Sequence, residues 1–361
     1  MITRIEIKGY KSIKEQDVSL TPLNILIGGN GVGKSNFISI FSLVRTVYEQ
    51  NLADYVIRKG GADSFLYFGK KNTQEIFFDF YFGNETKSKN RFILTLANRQ
   101  DSLYIKSIDT AFKTSYWHFQ NHEQSVAESD FKNNFRGQAY YVNDRLKEFE
   151  VYHFHDTSDD SPMKGFSNID DDIFLKKDGS NIASFLYFLK NRHPKHFTRI
   201  EKTIKSIAPF FDGFILEPSG RNENQIKLKW KEVGSYDAYF DAYNLSDGTL
   251  RFICLATLLM QPKPPKTIII DEPELGLHPV AINKLASLMR KVAGKTQLIV
   301  STQSINLIDN FEPNDIIVAD RKNNETVFNR LNNEELDSWL EDYSLGDVWG
   351  KNVFGGQPFN Q

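Results

Sequence analysis

Ile5 and Ile7 alternate with Glu6 and Lys8 near the start of the chain, and Leu23 to Ile27 forms a compact apolar run closed by Gly28 and Gly29. Both patterns predict strands, the first half-buried and the second buried. Phe37, Ile38, Phe41, Val44, Val47 and Tyr48 then recur at the spacing that lays one apolar stripe along a helix, predicted over 34–48. A strand, a glycine loop and a helix therefore follow one another. Residues 76–82 and 91–97 are strand-like and flank a polar turn containing Gly83 and Asn84, which predicts a hairpin.

From about 100 to 205 the periodicity fades and charge comes in blocks. Residues 156–172 hold six Asp and one Lys, and residues 190–205 hold six Lys or Arg and one Glu. This stretch reads as an inserted subdomain, dividing the chain into an N-terminal lobe over 1–99, an insertion over 100–209 and a second lobe over 210–361. Lys227, Lys229 and Lys231 alternate with Ile226, Leu228 and Trp230, predicting a half-buried strand that returns to the main sheet. Residues 250–259 predict a buried helix, 267–270 and 298–300 buried strands of the parallel type, and 281–292 an amphipathic helix. No internal repeat is present, so the two α/β ends are expected to share one sheet with the middle looped out.

Composition narrows the function. The 361 residues are 40% hydrophobic and 25% charged with a net charge of −2, which excludes a disordered chain and a global basic field. Any nucleic-acid contact must be a local patch. Cys254 stands alone, which excludes a disulfide-stapled scaffold and fits a reducing compartment. The longest apolar stretch, 252–260, is about half of a membrane span, and the N-terminus lacks an apolar signal region, so a soluble cytoplasmic protein is expected.

Gly28-Gly29-Asn30-Gly31-Val32-Gly33-Lys34-Ser35 satisfies the G-x-x-x-x-G-K-[ST] spacing of a phosphate-binding P-loop, in the required context of a strand before and a helix after. Glycines let successive backbone N–H groups turn inward on phosphates, and the helix N-terminus adds its dipole. Lys34 would bridge the β and γ phosphates of ATP, Ser35 would offer its hydroxyl to Mg²⁺, and Asn36 follows in the same nucleotide-binding turn. The bland alternative is a flexible glycine turn. Downstream, Asp271 and Glu272 sit at the end of the 267–270 strand, where ligands bind in open α/β sheets. Asp271 is then placed in the Mg²⁺ shell and Glu272 as general base toward water, against the alternative of a solvated turn ended by Pro273.

Asn244-Leu245-Ser246-Asp247-Gly248-Thr249-Leu250-Arg251, just before the buried helix, resembles the signature motif of ABC-type ATPases. With 28–35, 268–272 and the following Leu275-Gly276-Leu277-His278-Pro279, the chain is similar over 1–95 and 210–320 to the RecF, SMC and OLD-like branch of that superfamily. It looks most like the small AAA-type ATPases of genome maintenance and anti-phage defence, such as the ATPase subunit of PARIS-type systems. The resemblance implies an α/β P-loop NTPase of the ABC-ATPase head type, two-lobed, with a mixed sheet and an inserted helical subdomain. It also implies that Ser246, Asp247 and Gly248 act in trans on nucleotide held by a second copy, and that 275–278 is the D-loop at that interface. Asp247 and Thr249 depart from the Leu-Ser-Gly-Gly-Gln consensus. Gln303 stands where the family often has a switch histidine, and can hydrogen-bond phosphate or water but carry no proton. Gln74 is the candidate lid glutamine.

The function so implied is a homodimeric or larger ATPase that acts as sensor or scaffold for a separate effector nuclease in antiviral defence. The segment after Gln303 lacks the acidic cluster of a nuclease metal site, which places the effector elsewhere. A RecF-like DNA clamp and a nucleotide-bound scaffold with little hydrolysis are the alternatives. Lys190, Arg192, Lys195, Arg199, Lys202 and Lys205 are the candidate DNA contact, or a solvated helix face. The resemblance also puts Tyr10 and Lys11 near adenine or DNA. His153 and His155, with Asp156 and Asp159, either hold a metal or pair with neighbouring carboxylates. Residues 178–181 read as a turn and N-cap, and 336–356, rich in Trp339, Leu340, Trp349, Val353 and Phe354, either folds back or docks on a partner.

Overall fold

The computed structural model describes residues 1–84, 87–235 and 238–356, which form two compact units, each discontinuous in sequence. The first comprises Met1–Val151, Lys266–Ile269 and the chain from Thr296 onward, and the second comprises Tyr152–Pro265 and Ile270–Lys295.

The first unit begins with an antiparallel sheet in the order Ile13–Ser19, Ile2–Tyr10, Glu75–Asn84, Lys87–Arg99, Ser102–Lys113, Trp117–Val126. Alternation sends Ile5, Ile7, Phe78, Phe80, Phe92 and Leu94 to one face, where they are buried. Against them lies helix Lys34–Tyr48, whose predicted stripe of Phe37, Ile38, Phe41, Val44 and Val47 is fully covered. Phe41 sits at the centre, with ring centroids of Phe37, Phe80 and Phe149 at 5.8, 6.0 and 5.4 Å.

The second sheet carries the phosphate loop. Its order is Glu325–Arg330, Ile316–Lys322, Leu23–Ile27, Gln297–Ser301, Thr267–Asp271, Val151–Tyr152. Leu23–Ile27 runs parallel to both neighbours, with Leu26 opposite Ser301 and Ile27 opposite Val318, while Glu325–Arg330 is an antiparallel edge. The sheet is therefore mixed and unites strands from both ends of the chain, as the sequence led one to expect.

Two expectations fail on the sheets. Ser102–Lys113 and Trp117–Val126, assigned from sequence to an inserted subdomain, extend the antiparallel sheet of the first unit. In Ser102–Lys113 the alternation is masked by irregular register opposite Thr95 and Leu96 and between Ile108 and Asp109, which moves the buried positions from 103 and 105 to 108, and Trp117–Val126 has no buried residue to set a rhythm. The lysine-alternating stretch does not return to the main sheet. It divides at Leu228 into Asn222–Lys227, paired with Pro218–Ser219 and Phe166–Asn168, and Lys229–Glu232, paired with Phe211–Ile215 and Phe240–Asp241. Both are small sheets of the second unit, and Ile226, Leu228 and Trp230 are buried within it.

The second unit is otherwise helical. Asp247–Met260, apolar on nearly every side, packs between Pro194–Lys205 and Pro279–Ala293, and Ile182–Arg192 packs on Pro194–Lys205. A helix apolar all round must be buried, which is how it was expected and how it is found. Among the described residues no helix is long and apolar enough to cross a membrane.

Truncating Phe41 to Ala removes a fully buried ring from three aromatic neighbours, and is expected to cost about 3–5 kcal/mol. Urea unfolding of the variant should show a lowered midpoint at unchanged slope.

Candidate functional site

In the first unit, strand Leu23–Ile27 runs buried into the loop, and the loop delivers Lys34 at the first residue of its helix. Gly28 takes φ +151°, and a Cβ there would lie 2.5 Å from the Ala319 carbonyl and 2.8 Å from Val32. Gly33 takes φ +111°, and a Cβ there would overlap the Thr326 hydroxyl. Only glycine fits at either place. The Lys34 ammonium is buried and folds back over the loop, donating to the carbonyls of Gly28 at 2.6 Å and Gly29 at 2.9 Å.

The helix that follows has no side-chain cap and no acidic residue in its first turn. The helix start itself thus supplies no anion to its N-terminal N–H groups and dipole, the arrangement that suits phosphate. Asn30, Gly31 and Ser35 are exposed there. Asn36 turns the other way, its Nδ2 donating to Ser12 Oγ at 2.7 Å. Ser12 Oγ lies 2.7 Å from Thr326 Oγ1, which in turn donates to the Val32 carbonyl at 2.8 Å. This relay braces the end of the loop, and Ser12 and Thr326 are participants that sequence reading missed.

Beside the helix start opens a cavity of about 600 Å³ lined in part by Lys11, Ser12, Asn36, Phe68, Arg321 and Asn324. Burial pushes the Lys11 ammonium down to about 8, with the Lys59 charge adding to the effect, and its Nζ contacts Ser39 Oγ at 2.9 Å. Phe68 is 55% exposed with φ +52°, presenting an aromatic ring to solvent. Tyr10, paired with Lys11 in the sequence reading, is instead a core residue bound to Ser39 Oγ at 2.9 Å.

Gln303 follows the buried strand Gln297–Ser301 and is half-buried. Its neighbour Thr302 donates from its backbone to the Leu26 carbonyl at 2.9 Å, stitching this segment to the strand that feeds the loop. Gln74 is exposed, and its side-chain amide donates to the Lys70 carbonyl.

The second unit holds the other motifs. Ser246 caps helix Asp247–Met260, its Oγ accepting from the Thr249 N–H at 3.3 Å, while Ser246 and Asp247 remain exposed. Gly248 abuts the 275–278 turn: a Cβ on it would overlap the Gly276 carbonyl, and Gly276 itself takes φ +75°. One turn on, buried Arg251 donates from Nε to the Phe154 carbonyl at 2.8 Å and from Nη2 to the His155 carbonyl at 3.1 Å. The His155 Nε2 lies 2.7 Å from the Asp271 carbonyl. Arg251 and His155 therefore tie the signature helix to the backbone of the acidic strand end. His155 is spent there, and among the described residues no group of three His, Cys, Asp or Glu is placed to hold a metal. Burial holds the Arg251 guanidinium below its ordinary range, opposed by nearby Asp247.

Asp271 and Glu272 are both half-buried, and Glu272 takes φ +43°, a left-handed conformation that costs a non-glycine residue of order 1–3 kcal/mol and is characteristic of functional positions. Taken separately, Ser35 in the first unit offers an exposed hydroxyl at a helix start without a side-chain cap, and Asp271 in the second a carboxylate, each a hard oxygen of the kind Mg²⁺ takes alongside phosphate and water.

Residues 23–309 match the model of the AAA_21 family, described as "AAA domain, putative AbiEii toxin, Type IV TA system". The chain belongs to this family. It is also similar in fold to Smc head structures. One, an Smc head bound to the C-terminal winged-helix domain of ScpA, is 16% identical with a TM-score of 0.60, covering 93% of this chain and 99% of that one. A second, an Smc head with an extended coiled coil bound to the C-terminal domain of ScpA, from Pyrococcus furiosus, is 15% identical with a TM-score of 0.57 over 94% and 98%. A third, an Smc head with a coiled coil and joint from Pyrococcus yayanosii, is 13% identical with a TM-score of 0.54 over 94% and 99%. This AAA_21 member thus has the α/β P-loop ATPase fold of the ABC and SMC type.

Replacing Thr326 by the isosteric Val removes the hydroxyl that holds the Val32 carbonyl and leaves the strand intact. Loss of one such bond, about 1 kcal/mol, should weaken Mg-ATP binding roughly fivefold, as read by calorimetry.

Proposed function

We propose that this AAA_21 protein hydrolyses ATP and uses ATP-dependent pairing of two copies as a switch on a separate effector, a nuclease acting in anti-phage defence. The observation that supports it best is the uncapped, acid-free N-terminus of helix Lys34–Tyr48 beneath a glycine loop on which Lys34 is already folded. On this reading the loop amides over 30–33, Lys34 and Ser35 hold the phosphates, and the cavity lined by Lys11 and Phe68 takes the base. Ser35 and Asp271 would hold Mg²⁺, whose charge offsets that of the β and γ phosphates. Glu272 accepts the proton of the attacking water, and Gln303 hydrogen-bonds water or γ-phosphate without exchanging a proton. Ser246, Asp247 and Gly248, exposed or half-exposed at the start of their helix, would complete the site of a second copy.

A second reading, a RecF-like clamp in DNA repair, is favoured by one observation. Lys190, Arg192, Lys195, Arg199, Lys202 and Lys205 are all exposed on helices Ile182–Arg192 and Pro194–Lys205, with Lys205 paired to Asp212 at 3.1 Å. Binding through such a surface would weaken steeply with salt. A third, a scaffold that binds ATP and scarcely turns it over, draws on Gln303.

Steady-state hydrolysis and light scattering on the same samples separate these. Glu272→Gln should keep Mg-ATP affinity, lose turnover by about 10²–10⁴-fold and accumulate an ATP-bound dimer. Stimulation by duplex DNA would favour the clamp, and absence of turnover in the wild type the scaffold. If Lys34→Ala binds Mg-ATP as tightly as wild type, the ATPase reading fails.

A further inference from the structure

The C-terminal segment of the first unit reaches the phosphate loop. Ser344 and Asp347 form a reciprocal cap on helix Leu345–Gly350, whose Leu345, Val348 and Trp349 are buried. The Gly346 N–H donates to the Asp309 carboxylate at 2.7 Å, and a Cβ at 346 would lie 2.5 Å from Ile305 Cγ2. The helix is thus seated on the short helix Ile305–Ile308, two residues beyond Gln303. At its other end the Gly356 carbonyl accepts the buried Gly29 N–H at 2.5 Å.

The approach is too close for side chains. Gly355 and Gly356 take φ +83° and +80°. A Cβ at 355 would lie 3.1 Å from Asp320 Oδ2, and one at 356 would lie 2.8 Å from Val318 Cγ1 and 3.5 Å from the Cα of Gly28. Three glycines, 346, 355 and 356, therefore sit where the segment meets its anchors, and one continuous stretch spans from the residues behind Gln303 to the opening of the loop. The Gly29 amide, one of the donors of a loop built to present amides, takes its partner from this stretch rather than from the sheet.

We propose that residues 344–356 are a strap that positions the phosphate loop for nucleotide and links it to the segment behind Gln303. This rests on the ATP-binding reading above. A loop of glycines has many conformations, and fixing the Gly29 amide selects among them. By reciprocity, a nucleotide that prefers the strapped loop must in turn hold the strap down.

Gly356→Val, which blocks the close approach, should raise the Kd for Mg-ATP about tenfold with little change in thermal midpoint. Asp309→Ala removes the acceptor at the far end without touching the loop, and should weaken binding in the same direction by about threefold. It carries the test alone if Gly356→Val does not fold. In wild type, saturating Mg-ATP should slow amide hydrogen exchange over 345–356. Unchanged affinity in both variants, or exchange over 345–356 indifferent to nucleotide, overturns the strap. Tighter binding in Gly356→Val overturns it as well, since the segment would then oppose nucleotide. A wild-type chain that fails to bind Mg-ATP overturns the ATPase reading instead, and the link to nucleotide with it.

Discussion

The nucleotide end of the first unit depends on a backbone that has no side chains with which to hold itself. Gly28, Gly29, Gly31 and Gly33 give the loop its conformational freedom and with it the largest conformational entropy to be lost on ordering. That cost is offset by contacts arriving from outside the loop. Lys34 clamps the carbonyls of Gly28 and Gly29, Thr326 holds that of Val32, and Gly356 takes the Gly29 amide. Remove these and what is left is a glycine turn, the alternative that the motif alone leaves open. The motif supplies permissiveness, and distant residues supply the shape.

The second unit solves a related problem with charge. Its acidic strand end is held at the backbone of Asp271, and a buried guanidinium is part of the means. Arg251 satisfies two backbone carbonyls at 154 and 155, and the imidazole between them and Asp271 fixes the carbonyl of that residue. A buried cation without its acceptors would cost several kcal/mol, so this small network has essentially one arrangement. Close contact of Gly248 with Gly276 ties the turn at 246–248 to that at 275–278 in the same unit, so a shift in one must displace the other.

How much of this could be read in advance follows from the range of each interaction. Strand, loop and helix over 23–48 were legible because hydrophobic period and glycine spacing are local. So were the buried helix over 247–260 and the strands that unite the two chain ends. The extra pair of strands over 102–126 was not, since irregular register slides the buried positions of the first out of the two-residue rhythm and the second buries no residue at all. The lysine-alternating stretch kept its rhythm and still misled: Ile226, Leu228 and Trp230 share a buried face although the pairing changes partner at Leu228. Thr326 was invisible for another reason. It meets Val32 across 294 positions of sequence, and nothing in the local pattern of a strand marks one hydroxyl as a brace.

The two helix starts are prepared differently, and this bears on where binding energy can come from. Helix Lys34–Tyr48 has neither side-chain cap nor acid in its first turn, so the helix itself supplies no charge against its dipole. Helix Asp247–Met260 carries its own cap in Ser246 and its own negative charge in Asp247. A carboxylate at that position already draws on the field that would attract phosphate, worth roughly 0.3–1 kcal/mol at an exposed helix end. Nucleotide affinity on the ATPase reading must therefore reside mainly in the first unit. On the same reading, a contact of Ser246 and Gly248 with a second copy would be the weaker one, able to form and dissolve with the state of the γ-phosphate, which is what a switch requires and a permanent dimer does not.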